Sequence, residues 1–341
     1  MTRHLLSLII VALLLSACGF STEATSTPGP TRLSYQRPTD PPVLTPTPTQ
    51  VIPIATAEPT SGIVFASERD GNLEIYLMRP DGSGLTRLTH HPSIDTDPVW
   101  SPDGRRIMFR SRRGGNSDIY IMGANKSRLI NLVNDPSDSP DDEFAPVWNP
   151  DGETLAMYTD RFPPLEPCQG GLGWHHVAFM PVTGGVENIR QFEALAGEQE
   201  SFAWSPDGRY LVISSICSDP VRHLYRWDRE TDQVEQLTDG PSIDTYPAWS
   251  HDGRRLAFTS YLDDNVDIYI LELGSGALTR LTAHPDKDAH PTWSPDDTQI
   301  AFVSSRDGNE DIFIMNSDGS NPRNLTQSPG RDYRPNWSPV P

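Results

Sequence analysis

The chain has 341 residues, a formal net charge of −19, 33 prolines and three cysteines. So large a negative excess argues against the phosphate backbone of nucleic acid as a partner, and an anionic lipid surface would repel such a chain. Its length allows one large domain or two ordinary ones.

At the amino terminus, Met1-Thr2-Arg3-His4 precedes an apolar stretch from Leu5 to Leu15. That run is too short to cross a bilayer and suits the core of a signal peptide. The following Leu15-Ser16-Ala17-Cys18 looks like a bacterial lipobox, so residues 1–17 are expected to be removed and Cys18 to become the lipidated first residue of an exported lipoprotein. The anchor is placed in a cell membrane or an outer membrane. Residues 18–60 are rich in Thr and Pro, including Thr45-Pro46-Thr47-Pro48-Thr49. Such a segment buries no core and favours extended, polyproline-like conformations. It reads as a disordered tether reaching on the order of 100 Å.

From residue 61 to 341 one phrase recurs, first as Pro98-Val99-Trp100-Ser101-Pro102-Asp103-Gly104. The tryptophans Trp100, Trp148, Trp204, Trp249, Trp293 and Trp337 are spaced by 48, 56, 45, 44 and 44 residues. A period of about 40–45 residues marks the blade of a β-propeller. The first five copies are each followed by an apolar run such as Leu256-Ala257-Phe258, and three of them next by an acid, Ile and an aromatic, as in Asp267-Ile268-Tyr269; the third run closes on Leu-Thr, as in Leu281-Thr282. Short apolar runs punctuated by Gly, Asp and Pro predict strands. The first repeat, from Ile63, has three strands and no preceding Pro-x-Trp, and the last Pro-x-Trp, Pro335 to Trp337, has no strands after it. Pairing these two ends completes a sixth blade and removes an exposed sheet edge. The fold class is therefore all-β, a six-bladed propeller of four-stranded blades.

These repeats resemble the TolB-type propeller family, whose motif is Pro-x-Trp-Ser-Pro-Asp-Gly followed by an Ile-Ala-Phe-like run and Asp-Ile-Tyr. The resemblance covers residues 61 to 341 and implies an envelope propeller that binds a protein or peptide. The α/β domain that precedes the propeller in that family is expected to be missing here. Similar repeats occur in propellers of prolyl-oligopeptidase-like enzymes and of pectin-degrading lyases, so fold alone does not assign function.

Three residues before five of the six copies stands an acid, at Asp95, Glu143, Asp244, Asp288 and Asp332, while blade four has Gln199 at that place and Phe202 for the proline. Six-fold repetition is expected to set these five acids in a ring at the channel mouth, where they would attract a cation, a basic side chain or a peptide amino terminus. The alternative is that each acid bonds its own loop backbone, as Asx turns do. Further acids lie nearby, at Asp135, Asp138, Asp141 and Asp142 and at Glu193, Glu198 and Glu200, and the longest insertion runs from Phe162 to Gly171.

No cofactor is expected, although Ca2+ would suit such a ring. Asp288 and His290 form a weaker candidate metal pair. The segments Asp70 to Glu74 and Asp307 to Asp311 carry alternating oxygen ligands but lack an EF-hand's glycine and closing glutamate, and read as hairpin turns. His175 and His176 would point to opposite faces of a strand. Cys168 and Cys217 follow the second strand of adjacent blades, which leaves either a disulfide or two free thiols. No nucleophile elbow, zinc helix, phosphate loop or dinucleotide fingerprint occurs. Three readings stay open: a monomeric, lipid-anchored, non-catalytic propeller binding a protein or peptide; a metal-dependent polysaccharide lyase or hydrolase-like enzyme; and a structural or sensory envelope module.

Overall fold

The computed structural model describes residues 60–133, 142–162, 176–195, 197–216, 221–262 and 264–340. Within them six four-stranded antiparallel sheets follow one another as blades. The blade count and the strand order agree with the repeat. In blade two the innermost strand is Asp95–Trp100, followed outward by Arg106–Ser111, Asp118–Gly123 and Ile130–Asn131. Blades three to six repeat this order from Glu143–Trp148, Glu198–Trp204, Ile243–Trp249 and Asp288–Trp293.

Blade one is closed by the two ends of the propeller. Asp332–Trp337 pairs with Ile63–Ser67, setting Ile63 against Trp337 and Ser67 against Asp332. The Ser338 N–H then donates to the Gly62 carbonyl at 2.8 Å. No strand edge is left between the first and last blades, which is why closure of this kind suits a repeat protein.

Local chemistry explains the recurring residues. In the turn after blade two's innermost strand the Ser101 hydroxyl donates to Asp103 at 2.5 Å and accepts the Arg106 N–H at 2.9 Å. Gly104 completes the turn at φ 64°, a conformation that a side chain resists. The Thr of each Leu-Thr pair caps a strand: the hydroxyls of Thr89, Thr238, Thr282 and Thr326 accept the N–H of Ile75, Leu224, Ile268 and Ile312 at 2.9–3.0 Å.

The core lies between blades. Val64 and Ile75 of blade one pack with Trp100, Ile107 and Phe109 of blade two. Ala301 and Ile312 of blade six pack with Ile63, Phe65 and Trp337 of blade one. Burying each of the larger of these side chains contributes about 1.5–3 kcal/mol, so the ring is held by its inter-blade faces.

Every innermost strand also carries a β-bulge. In blade two Thr96 faces Arg110 and Val99 faces Met108, so Asp97 and Pro98 together oppose Phe109. The same slip occurs before Val147, Ala248, Thr292 and Asn336.

Candidate functional site

The five acids expected at the channel mouth lie inside the blades. Asp95, Glu143, Asp288 and Asp332 are 0 % exposed and Asp244 is 2 % exposed. Four of them face an arginine just beyond the second strand of the same blade. Arg113 Nη2 reaches Asp95 at 2.6 Å, Arg161 reaches Glu143 at 3.1 Å, Arg306 reaches Asp288 at 2.8 Å and Arg69 reaches Asp332 at 2.8 Å. Three of these arginines also donate through Nε to the strand's last serine, Ser67, Ser111 or Ser304. Their guanidinium groups lie over aromatic pairs, as Arg113 does over Phe109 and Tyr120. Asp244 has no such arginine and accepts the Ser260 hydroxyl at 2.6 Å.

This corrects the expected acidic mouth. The first residue of the innermost strand pairs with the last residue of the second, Asp95 with Ser111 and Asp288 with Ser304, which aims the carboxylate at the arginine of its own blade. Burial pushes the Glu143 carboxyl up to about 7 against the opposing pull of Arg161. In blade four, Gln199 takes the acid's place, accepting the Val177 N–H and donating to the Leu195 carbonyl.

The channel is lined instead by the residue two positions further on. Asp97, Ala145, Ser201, Tyr246, His290 and Arg334, one from each blade, surround a cavity of about 150 Å³. Five of the six have positive φ, from 49° at Ala145 to 57° at Arg334. Bulges with a left-handed first residue favour glycine, and a side chain there costs on the order of 1 kcal/mol. Blade four differs because its bulge falls between Gln199 and Ser201, which brings Glu200 to the channel as well.

A polar chain crosses the channel. Arg110 and Arg334 reach the two oxygens of Asp97 at 3.1 and 3.3 Å. Arg334 lies over the Tyr246 ring at 4.6 Å and donates to its hydroxyl at 3.4 Å. That hydroxyl donates to Glu200 at 3.3 Å, and Arg222 holds the other Glu200 oxygen at 2.9 Å as well as Glu198 at 2.8 Å. The His290 ring packs on Tyr246 with centroids 3.9 Å apart. Burial, with help from Arg334 and Lys287, holds the His290 imidazole well below its ordinary pKa, so the ring is neutral at pH 7.

Asp288 and His290 do not converge on one ion. Both oxygens of Asp288 bind Arg306, while His290 follows the bulge into the channel. Among the described residues no three His, Cys, Asp or Glu side chains gather as a metal site. The segments at Asp70 and Asp307 form hairpins whose asparagines bond neighbouring carbonyls, Asn72 to His91 and Asn309 to Ser328. Asp142 accepts the Ser117 N–H at 2.8 Å. Cys18, Cys168, Cys217, Asp135, Asp138, Asp141, His175 and most of the Phe162 to Gly171 insertion lie outside the described residues.

The lining residues escape a reading that looks for recurrence. They occupy the one position near the phrase where Asp, Ala, Ser, Tyr, His and Arg succeed one another without repetition. Variation at one position inside a regular scaffold was the available signal.

The sequence profile described as the TolB beta propeller domain matches residues 55–162 and 247–340. The chain is 33% identical over 216 residues to the Protein TolB homolog of Chlorobium luteolum, a match covering 63% of this chain and 35% of that protein. The match thus spans about a third of that relative's length. Among solved structures, TolB from Acinetobacter baumannii superposes with a TM-score of 0.66 at 18% identity, over 83% of this chain and 67% of that one. An oligogalacturonate lyase from Vibrio parahaemolyticus superposes with a TM-score of 0.52 at 15% identity, over 74% and 85%. At these identities the structural likeness is one of fold.

Proposed function

Because the chain belongs to the TolB β-propeller family, we propose that it is a non-catalytic, exported propeller of the bacterial cell envelope that binds a protein or peptide at the mouth of its channel. One observation carries the reading. Six residues of the cavity wall, one from each blade, sit at a position where no residue type recurs between blades, and five of them hold a backbone conformation that favours glycine. Strain kept where the sequence has left its consensus points to selection for the side chains that face the channel.

In this reading Cys18 carries the lipid and residues 18–60 hold the propeller clear of the membrane. The lyase reading has less support, since it needs Asp288 and His290 on one metal and Asp288 is bound by Arg306. The test is a cross-linking pull-down from native envelopes with the full chain and its Tyr246→Ala variant. Loss of the captured partner in the variant is expected, and capture at full yield overturns the channel as the site. A Cys18→Ala chain is expected in the soluble fraction rather than with membranes.

A further inference from the structure

Hydrogen-bonding capacity in the channel is unequally matched. All four oxygens of its two carboxylates have partners: Asp97 has Arg110 and Arg334, and Glu200 has Tyr246 and Arg222. Donors are left over. Arg334 uses Nε on Asp97 and Nη2 on Tyr246, which leaves Nη1 without a partner among the described residues. Asn336 also lines the cavity, and its Oδ1 accepts the Trp100 N–H at 2.8 Å, which fixes the amide's orientation and leaves Nδ2 unmatched there. The neutral His290 ring contacts Tyr246 and has no hydrogen-bonding partner among the described residues, so it brings one more N–H.

Charge is distributed in the same sense. Arg110 and Arg334 surround one acid, Asp97, where blades one and two meet, leaving one surplus positive charge. Across the channel, in blade four, Arg222 is shared by Glu198 and Glu200, leaving one surplus negative charge. A ligand entering between them meets a positive wall on the Arg334 side.

We propose that the channel recognises a single carboxylate of its partner, received by Arg334 Nη1 with Asn336 and His290 beside it. The proposal rests on the channel-mouth reading above and reverses the cationic ligand that an acidic ring would select. A guanidinium matches the planar, two-oxygen geometry of a carboxylate. A doubly charged phosphate suits the site less, because Asp97 stands 3.3 Å from the same guanidinium. The chain's net charge of −19 also disfavours a long acidic tract, so one carboxylate on an otherwise neutral or basic segment fits best.

The test selects binders to the full-length protein from a synthetic library of random peptides with free carboxyl ends. Selected peptides are expected to share an Asp, a Glu or a dependence on the terminal carboxylate. Converting the acid to its amide, or amidating the terminus, tells the two sources apart. Arg334→Gln is expected to weaken binding about ten- to hundredfold, the range for a hydrogen bond to a charged group. Arg334→Lys, which keeps the charge without the fork, is expected to fall between. An unchanged circular dichroism spectrum and melting temperature confirm that the variants fold. If Tyr246→Ala abolishes binding and Arg334→Gln does not, the channel stands as the site and the carboxylate is overturned. If neither change matters, or no peptide is selected, both readings fall.

Discussion

Asp297 closes on the turn of the neighbouring blade, its carboxylate accepting the backbone N–H of His251 at 2.7 Å and that of Asp252 at 2.9 Å. Elsewhere in the phrase, Pro102, Pro150, Pro206, Pro295 and Pro339 stand where His251 does, and Gly104, Gly152, Gly208 and Gly253 where Asp297 does. A side chain at this glycine position faces the preceding blade's turn, as the nearness of Gly208 to Asn149 shows. Proline would offer no N–H there, so the two departures from the consensus belong together.

A double-mutant cycle tests this coupling. Asp297 sits at φ 58°, so Asp297→Gly relieves strain but removes the acceptor, while His251→Pro removes one of its two backbone donors, together with the imidazole 3.2 Å away, and leaves the Asp252 N–H. Each single change is expected to cost about 1 kcal/mol, and the double mutant less than their sum by a further ~1 kcal/mol. Denaturant unfolding measures all four proteins. Additivity within about 0.4 kcal/mol would break the link.

The acids at the strand starts are expected to be structural, in two grades. Asp288→Asn leaves the largely buried Arg306 unpaired and is expected to cost about 3–5 kcal/mol. Asp244→Asn disturbs only the hydroxyls of Ser260 and Ser242 and is expected to cost about 1–2 kcal/mol. Equal losses in urea unfolding would contradict the distinction.

Glu143 gives the pH dependence a sign. Burial raises its folded pKa from 4.5 to about 7, so the native state holds the proton more tightly than the unfolded chain. Its contribution is fully present below pH 4.5 and is lost as the pH rises through 7. Relative to Glu143→Gln, the native chain should lose up to about 3 kcal/mol across that window. A difference curve that rises with pH would be the wrong sign.

Tyr158 is buried with a hydroxyl that has no partner among the described residues, and its ring packs edge-on against Phe202 at 4.8 Å. Tyr158→Phe keeps the ring contact and removes an unsatisfied polar group. It is expected to be neutral or to stabilise by about 1 kcal/mol, read as a rise in melting temperature. A loss above about 1 kcal/mol would mean that the hydroxyl is bonded in solution.

The blades were legible because their signals are local. Ser101, Asp103 and Gly104 make a turn among themselves, and Thr282 caps its own sheet, so each repeat announces its strands without reference to the rest of the chain. The site was less legible. Asp95 and Asp97 are two apart and in a regular strand would share a face. The bulge at Asp97 and Pro98 separates them, sending one carboxylate to Arg113 inside the blade and the other to Arg334 in the channel.

By itself, then, the sequence determined the number of blades, their four-strand order and the pairing of Asp332–Trp337 with Ile63–Ser67, since spacing and turn chemistry are properties of each repeat. Only the tertiary structure decided what the channel presents. That depends on a left-handed residue in five innermost strands, and on arginines that reach their acids only once the strands have paired.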